Sequence, residues 1–285
     1  MTISWSAIII READAPALVI GTYRMVLAGL PMGLLAVIQQ RRAPVPMARG
    51  TMVPLLLSAA LLAGHFAFWI SSVQRTSVAT AVVLVSAQPL YVALGSPLLL
   101  RERIERRVWM SIAIATAGAL IMAADDLGDG LGTITGDLFA VLGGVCAAGY
   151  LIVGRSVRPT TSWARYVGTV YPLTAVMLLA MTLVAGDPLT GFSTKTFIMM
   201  GLMALGPQLI GHNSINWSLG YLPAVVVAIA ILGEPVGTTA LAALILDELP
   251  SFVELIGGVI VLSGVFLALR PDGEEALAVE VAGVD

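Results

Sequence analysis

The sequence has few charged residues. Asp, Glu, Lys and Arg make up 12% of its 285 residues, about half of the roughly 25% that a soluble domain uses to cover its surface. Hydrophobic residues make up 58% of the chain, and the mean hydropathy is +0.94. Because so little of the surface could face water, this composition excludes a soluble enzyme and a disordered chain. It predicts a protein that is embedded in a membrane.

Other absences narrow the possibilities further. Cys146 is the only cysteine, so the chain cannot be a disulfide scaffold. The net charge is only −3 and no basic block is present, which argues against a nucleic-acid partner. The two histidines lack the cysteine or carboxylate neighbours of a zinc site, and no phosphate-binding GxxxxGK[ST] loop occurs. We therefore expect no metal, no cofactor and no hydrolysis of ATP by this chain.

Apolar runs separated by short polar clusters recur along the chain. A helix that crosses the hydrocarbon core needs about 20 apolar residues, and nine runs have approximately this length. They cover residues 17–38, 52–73, 77–100, 108–124, 134–154, 164–185, 195–218, 223–246 and 252–269. The acidic tail, residues 271–285, has no packing pattern and is predicted to be disordered.

A tenth helix, at the N-terminus, is short in this sequence. The apolar run from Thr2 to Ile10 would rise only about 14 Å as an α-helix, which is less than half of the hydrocarbon thickness. Either the chain begins with a half-helix or the true N-terminus lies upstream, and we favour the second interpretation. The predicted fold is an all-α membrane protein, a ten-helix bundle with a truncated first helix.

The basic residues predict the orientation of this bundle. Lys and Arg are retained on the cytoplasmic side of membrane proteins. If the loop after residues 17–38 is cytoplasmic, eleven of the fifteen Lys and Arg lie on that side, whereas acidic residues such as Asp125 and Asp247 lie on the other. We therefore predict a multi-pass protein of the cell (inner) membrane with a cytoplasmic C-terminus.

An internal repeat divides the chain into two halves. A shift of 146 residues aligns Gln88-Pro89 with Glu234-Pro235, Glu102 with Glu248, and Gly118 with Gly264. The predicted units are 1–124 and 134–269, each with five helices, followed by the cytoplasmic tail 271–285. Because five is an odd number, the second repeat is inverted relative to the first.

Proline occurs at matching positions in the two predicted repeats. Pro89 and Pro235 each remove a backbone hydrogen bond and are predicted to kink their helices. Secondary transporters with inverted repeats bind substrate near the midplane beside such interrupted helices. The alternative is that both prolines only shape helix packing.

Several short motifs occur in a characteristic order. The second half contains Gly233-Glu234-Pro235-Val236, Leu246-Asp247-Glu248, Gly257-Gly258 and Gly264-Val265, and the first contains Ser4-Trp5-Ser6, Ala15-Pro16, Tyr23-Arg24 and Gln88-Pro89. In these motifs the chain resembles EamA-type carriers of the drug/metabolite transporter superfamily over nearly its whole length. The resemblance implies ten helices in two inverted five-helix repeats, a central cavity, and export or uptake of small metabolites.

Two charged residues, Arg24 and Glu234, lie well inside predicted spans, more than one turn from either end. A charge inside a bilayer costs at least about 2.5 kcal/mol on insertion scales and usually faces a cavity or a partner. Arg24 could bind a substrate carboxylate, or it could anchor the structure. Glu234 would suit proton coupling or recognition of an amine, or it could accept hydrogen bonds from a neighbouring helix.

Other polar and aromatic residues inside the spans are candidates for the lining of a substrate cavity. They are His65, Trp69, Gln88, Tyr91, Tyr150, His212, Asn213, Asn216 and Trp217. The two histidines could instead form hydrogen bonds between helices. The aromatic residues could form apolar walls with one polar edge, as small-molecule sites need, or they could belong to ordinary packing and the interfacial belts.

Together these features favour a secondary active transporter that moves small metabolites, such as amino acids or related compounds, by alternating access, with export favoured. Its partners would be a small-molecule substrate, the lipid bilayer and, as a candidate coupling ion, the proton; a monomer and a homodimer both remain open. A carrier of nucleosides or cationic drugs, a passive channel and an intramembrane enzyme are the alternatives. An enzyme is disfavoured because neither GxSxG nor HExxH occurs in the sequence.

Overall fold

The computed structural model describes residues 2–44, 50–76, 81, 84–85, 87–101, 104–126, 134–245 and 251–269. Within these ranges the ordered elements are helices, and no strand occurs among them. The predicted tail, 271–285, and the Glu102/Glu248 pair of the repeat lie outside the described residues.

The helices have the following bounds. They are α1 (Ser6–Glu12), α2 (Ala17–Arg42), α3 (Met52–Val73), α4 (Gln88–Leu99), α5 (Arg106–Asp126), α6 (Ile134–Val157), α7 (Trp163–Ala185), α8 (Thr194–Met203), α9 (Asn213–Ser218), α10 (Ala224–Ile231), α11 (Gly233–Ile245) and α12 (Phe252–Leu269). A 3₁₀ turn, Thr2–Trp5, precedes α1, and a π-helical segment, Ala204–His212, joins α8 to α9. Grouped by their polar connections, these elements make up the ten helices that the sequence predicts, so the predicted all-α bundle is confirmed.

The outer surface of the bundle is apolar. Of the described helices, α2, α3, α6 and α7 are each long and apolar enough to cross a membrane. Their outward side chains include Leu30 and Leu34 on α2 and Val176 and Val184 on α7, all of which are exposed. A contiguous surface of this kind would cause aggregation in water, whereas in a bilayer it faces lipid. The structure therefore has the surface of a membrane protein.

The helices pair in a pattern that an internal two-fold repeat would produce. Helix α2 packs along α7, and α5 packs along α12. Helix α3 packs against α6 and α7, and the equivalent π segment packs against the N-terminal turn and α2. Each pairing is retained when a helix is exchanged for its counterpart in the other half. The inversion of one half relative to the other stays a prediction.

The glycines that the repeat aligns occupy equivalent places in this pattern. Gly118 on α5 and Gly264 on α12 lie where these helices cross. A Cβ atom on Gly118 would lie 2.6 Å from the backbone nitrogen of Val261, and one on Gly264 would lie 2.7 Å from that of Ala115. Only glycine permits backbones to approach this closely in a membrane bundle.

Two predicted spans are less regular than the sequence suggests. The predicted span 195–218 contains the π segment, and Pro207 lies inside this segment. Proline has no N–H to donate, and the wider π-helical turn accommodates its ring. The predicted span 223–246 is divided, because α10 ends at Ile231 and α11 begins at Gly233. Both irregularities border the central cavity described next.

Candidate functional site

A central cavity lies among the helices, and its empty space, counted together with the part that is open to solvent, is about 670 Å³. Its walls come from both halves of the chain. The N-terminal segment, α2, α3 and the start of α4 contribute on one side, and α6, the π segment, α9, α10 and α11 contribute on the other. The side chains in the lining that carry a polar atom are Ser6, Arg24, His65, Trp69, Gln88, Tyr150, His212 and Glu234.

The structure brings together most of the cavity residues that the sequence predicts. Those in the lining are Arg24, His65, Trp69, Gln88, Tyr150, His212 and Glu234, and Pro89 also borders the space. Tyr91, Asn213 and Trp217 are not brought to it. Trp217 is 54% exposed and packs on Tyr221, because it follows His212 by five residues and so projects from another face of the helix. Tyr91 packs against Gly144, and the Asn213 amide lies 3.5 Å from the sulfur of Met32.

Helices begin at the cavity at both matched positions. Helix α4 begins at Gln88, with Pro89 in its first turn, and Glu234 lies in the first turn of α11. Proline is well tolerated in a first turn because its missing N–H would be unpaired there in any case. Pro89 therefore lies in the first turn of α4, and Pro235 is the third residue of α11. That the two prolines kink their spans stays a prediction.

Arg24 is fully buried and borders the cavity from α2. Its Nε donates to Oε1 of Gln208 at 2.7 Å, and its guanidinium carbon lies 4.1 Å from the centroid of the Phe66 ring. This cation–π geometry and the amide hold the side chain in place. The Nη2 atom has no hydrogen-bond partner among the described residues. A buried guanidinium with an unused N–H beside a cavity is suited to binding a carboxylate.

Two more buried donors face the same space. Trp69 Nε1 and Gln88 Nε2 have no hydrogen-bond partner in the described part of the chain, and both side chains are buried. A buried donor without a hydrogen-bond partner costs about 1–3 kcal/mol. Such donors therefore indicate a site where a polar ligand could accept hydrogen bonds. With Arg24, the lining presents three N–H donors that could contact the acceptor atoms of one ligand.

Glu234 is the one carboxylate among the described residues of the cavity lining. It interacts electrostatically with Arg24, but no ion pair within 4.0 Å involving Arg24 occurs in the described ranges. The two charges therefore belong to one electrostatic site without neutralising each other by direct contact. A ligand that carries both a positive and a negative group could interact with both.

The two histidines sit beside each other at the cavity wall. The rings of His65 and His212 have centroids 6.4 Å apart, and His65 is stacked on Trp69 at 6.0 Å with an interplanar angle of 9°. Nδ1 of His65 lies 3.0 Å from the carbonyl oxygen of Gly143 on α6, so this residue both lines the cavity and joins two helices. In the described part of the chain no group of three or more His, Cys, Asp or Glu side chains could hold a metal ion.

Arg158 lies in the loop between α6 and α7, and we call the end of the cavity beside this loop the arginine-rich end. A buried hydrogen-bond network closes this end. Tyr150 donates to Oδ1 of Asn216 at 2.6 Å, and Nδ2 of Asn216 donates to the Tyr171 hydroxyl at 3.0 Å. The backbone oxygen of Asn216 accepts from Nε of Arg158 at 2.7 Å. Arg158 also donates to the carbonyl of Thr161. We call Tyr150, Tyr171, Asn216 and Arg158 the inner polar cluster.

The inner polar cluster is tightly packed. A Cβ atom on Gly220 would lie 2.9 Å from Nη2 of Arg158, so the loop after α9 packs directly against the guanidinium. Burial lowers the pKa of the Arg158 guanidinium from its ordinary value, and neighbouring tyrosines partly offset this effect. The cluster joins α6, α7 and α9, and these helices would have to separate for the cavity to open at this end.

The opposite end is held by more exposed contacts. Lys195 forms an ion pair with Glu12 at 2.5 Å, with both side chains at least half exposed, and Gln74 donates to the carbonyl of Ala15 at 2.9 Å. Exposed ion pairs contribute about 0–1 kcal/mol. A wide depression of about 1350 Å³ lies at this end. The two ends of the cavity are therefore closed by contacts of different strength.

Sequence reasoning missed several residues of this region. Gln208, Tyr166, Tyr171 and Phe66 are fully buried around the cavity and the inner polar cluster. Gln208 carried the same signal as Gln88, a polar amide within an apolar run. The tyrosines and Phe66 carried no signal that separates them from ordinary core residues.

Comparison with known proteins decides the family. The model of the EamA-like transporter family matches residues 1–124 and 134–270. The chain belongs to the EamA-like transporter family. It is therefore a multi-pass membrane protein of the transporter type, as the sequence motifs indicated, and family membership points away from an enzyme.

Individual relatives agree with this family without naming a substrate. An uncharacterized transporter of Archaeoglobus fulgidus is 22% identical over 206 residues, which cover 71% of this chain and 70% of the relative. A protein of known crystal structure superposes with a TM-score of 0.77 at 17% identity, covering 94% of this chain and 92% of that one. At this identity the structural likeness shows the fold alone.

Proposed function

We propose that this protein is a secondary active transporter that exports amino acids or related small metabolites by alternating access. The observation that carries the proposal is the central cavity, in which a buried arginine and a carboxylate lie beside two helix starts. Interrupted helices at the midplane are where transporters with inverted repeats bind substrate. The sequence offers no site for ATP hydrolysis, so an ion gradient would supply the energy.

The lining favours a substrate with a carboxylate and an amine. The free N–H of Arg24, with those of Trp69 and Gln88, would bind the carboxylate, and Glu234 would bind the ammonium group or a proton. His65 and Tyr150 would add walls that are apolar with one polar edge, which is the usual composition of small-molecule sites. A purely cationic drug is less suitable because Arg24 would repel it.

Alternating access would require the inner polar cluster to open. Tyr150, a member of this cluster, also lines the cavity, so it would link an occupied site to the contacts that close one end. We place this end in the cytoplasm because it carries most of the basic residues. On this assignment the C-terminus is cytoplasmic and the membrane is the cell (inner) membrane.

Counterflow in proteoliposomes tests the proposal. Vesicles loaded with one unlabelled amino acid at a time would receive the labelled compound outside, without and with a pH gradient. A carrier gives saturable uptake that is stimulated by internal substrate. Flux that does not saturate would indicate a channel instead, and product formation without flux would indicate an enzyme.

A further inference from the structure

Two depressions follow one another along the seam between α2 and α7. One is an apolar groove of about 740 Å³ beside the middle of both helices. The other, of about 780 Å³, is lined by the end of α2 and the start of α7, and it contains Arg42 and Arg165 but no acidic residue. We propose that together they bind one anionic phospholipid, with its phosphate beside the two arginines and an acyl chain in the groove.

The apolar groove has a floor of small residues between larger walls. The helices touch along this floor, since a Cβ atom on Gly29 would lie 3.1 Å from the backbone nitrogen of Pro172 and one on Gly33 would lie 3.3 Å from Cγ of Pro172. Leu30 and Val176 stand beside the floor, 69% and 65% exposed. This shape is complementary to a single extended hydrocarbon chain.

The polar depression carries the groups that recognise a phosphate. Arg165 donates to Oε1 of Gln40 on the facing helix, which holds its guanidinium between α2 and α7. Arg42 is exposed at the end of α2, and the hydroxyl-bearing residues Thr160 and Ser162 complete the lining. Basic pockets between membrane helices on the cytoplasmic side are typical sites for anionic lipid headgroups.

The spacing of the two depressions fits one leaflet. Eleven residues separate Arg165 from Val176 on α7, which correspond to about 16 Å of helix. One leaflet of the hydrocarbon core is about 15 Å thick. A lipid whose phosphate lies at Arg165 would therefore place its chain along the groove as far as Val176.

Charge argues for a lipid over a second copy of the chain in this place. A symmetric dimer through the seam would bring the same patch of each copy together. Arg42 and Arg165 of one copy would then face those of the other, with no carboxylate in either depression to separate them. An anionic phosphate supplies the missing negative charge.

Native mass spectrometry of the full chain in detergent tests the proposal with dioleoyl phosphatidylglycerol and dioleoyl phosphatidylcholine as probes. We expect one phosphatidylglycerol to bind preferentially. The Arg42→Gln/Arg165→Gln double variant should lower its affinity on the order of thirtyfold, since each basic residue near an anionic lipid is worth about fivefold. The matched control, Arg101→Gln/Arg106→Gln, removes two exposed arginines from the same predicted face and should change it less than threefold.

A second pair of variants tests the groove separately. Val176→Trp should fill the groove and weaken phosphatidylglycerol binding about tenfold. The control Val184→Trp, at an exposed position outside the groove, should leave this binding unchanged. Equal binding of both lipids to the wild type, or equal losses in the two arginine double variants, would overturn the proposal. A dimer that only Val176→Trp abolishes would also overturn it, because a second copy would then be the occupant.

Discussion

At the scale of single residues, the proposed transport depends on two charges, Arg24 and Glu234, that are energetically costly in the membrane interior. Nε of Arg24 donates a hydrogen bond to Gln208, and the guanidinium lies over the Phe66 ring. Its Nη2 has no hydrogen-bond partner among the described residues, so this N–H could bind a ligand. A residue with only a structural role would be expected to have its donors satisfied, because unmade buried hydrogen bonds are destabilising. This incomplete pairing favours the proposed substrate-binding role of Arg24 over simple anchoring.

Arg24→Lys should raise the KM for counterflow at least tenfold. Lysine keeps the charge, but a single ammonium cannot hold Gln208 and a carboxylate in the planar geometry of a guanidinium. Charged hydrogen bonds contribute about 1.5–3 kcal/mol, which corresponds to the expected change. Arg106→Lys, at an exposed position, is the control. An unchanged KM in a variant with normal thermal stability would contradict the binding role.

Glu234→Gln should remove the response of transport to a pH gradient or weaken binding of amine-containing substrates about tenfold. The amide has nearly the same shape, but it can neither carry a proton nor attract an ammonium group. Initial rates at several external pH values, with and without a gradient, measure the first effect, and competition by decarboxylated and deaminated analogues measures the second. Wild-type pH dependence together with wild-type competition would eliminate Glu234 from both roles.

At the scale of helices, close approach depends on particular glycines. A Cβ atom on Gly168 of α7 would lie 2.5 Å from the carbonyl oxygen of Met32 on α2, whereas nothing lies within 4 Å of the corresponding position at Gly201 on α8. Backbone atoms cannot yield as a flexible side chain can, so the α2–α7 contact requires glycine at position 168.

Gly168→Ala should destabilise the protein by about 1–3 kcal/mol, the usual cost of overpacking a core. Gly201→Ala is the matched control and should be neutral or slightly stabilising, because alanine favours a helix by up to about 1 kcal/mol over glycine. Thermal unfolding in the same detergent compares the two variants. Equal melting temperatures for both would show that the α2–α7 contact is looser than the structure indicates.

The inner polar cluster is expected to hold α6, α7 and α9 together at one end of the cavity. Asn216→Ala leaves the hydroxyls of Tyr150 and Tyr171 without their shared partner, which should lower stability by about 1–3 kcal/mol and favour opening at the arginine-rich end. Ser214→Ala is the control, since that exposed hydroxyl donates only to the carbonyl oxygen of Ile210, four residues earlier in the chain. Hydrogen exchange of α9 in the two variants measures the opening. Equal exchange would mean that the cluster does not close the cavity.

Periodicity predicted the helices well, and it predicted their interruptions less well. Hydropathy located the spans because every lipid-facing turn must be apolar. At the break at Leu232 and in the π segment at Pro207, some backbone groups lose their hydrogen bonds within the helix and need partners on neighbouring helices. The sequence of a single span does not show which residues those partners are. For the same reason the sequence predicted Arg24 and Glu234 in the cavity but also Trp217, whose helical face is set by packing.

At the scale of the whole molecule, the unequal distribution of arginine predicts one orientation. In a Cys146→Ser background, Thr190→Cys in the loop after α7 should react with a membrane-impermeant maleimide in intact cells. Thr160→Cys, in the loop after α6, should react only after the cells are permeabilised. The reverse pattern would contradict a cytoplasmic C-terminus, and reaction of both in intact cells would indicate that the bundle is not inserted as described.

A transported substrate is expected to bind in the cavity between the two halves. Protection from alkylation tests it most directly, with Ile231→Cys, whose wild-type residue lines the cavity, in the Cys146→Ser background. The substrate found by counterflow should slow the reaction of this cysteine with a maleimide at least tenfold, and should not affect Thr190→Cys at the surface. Equal alkylation rates with and without saturating substrate, in a variant that still catalyses counterflow, would show that the substrate binds elsewhere.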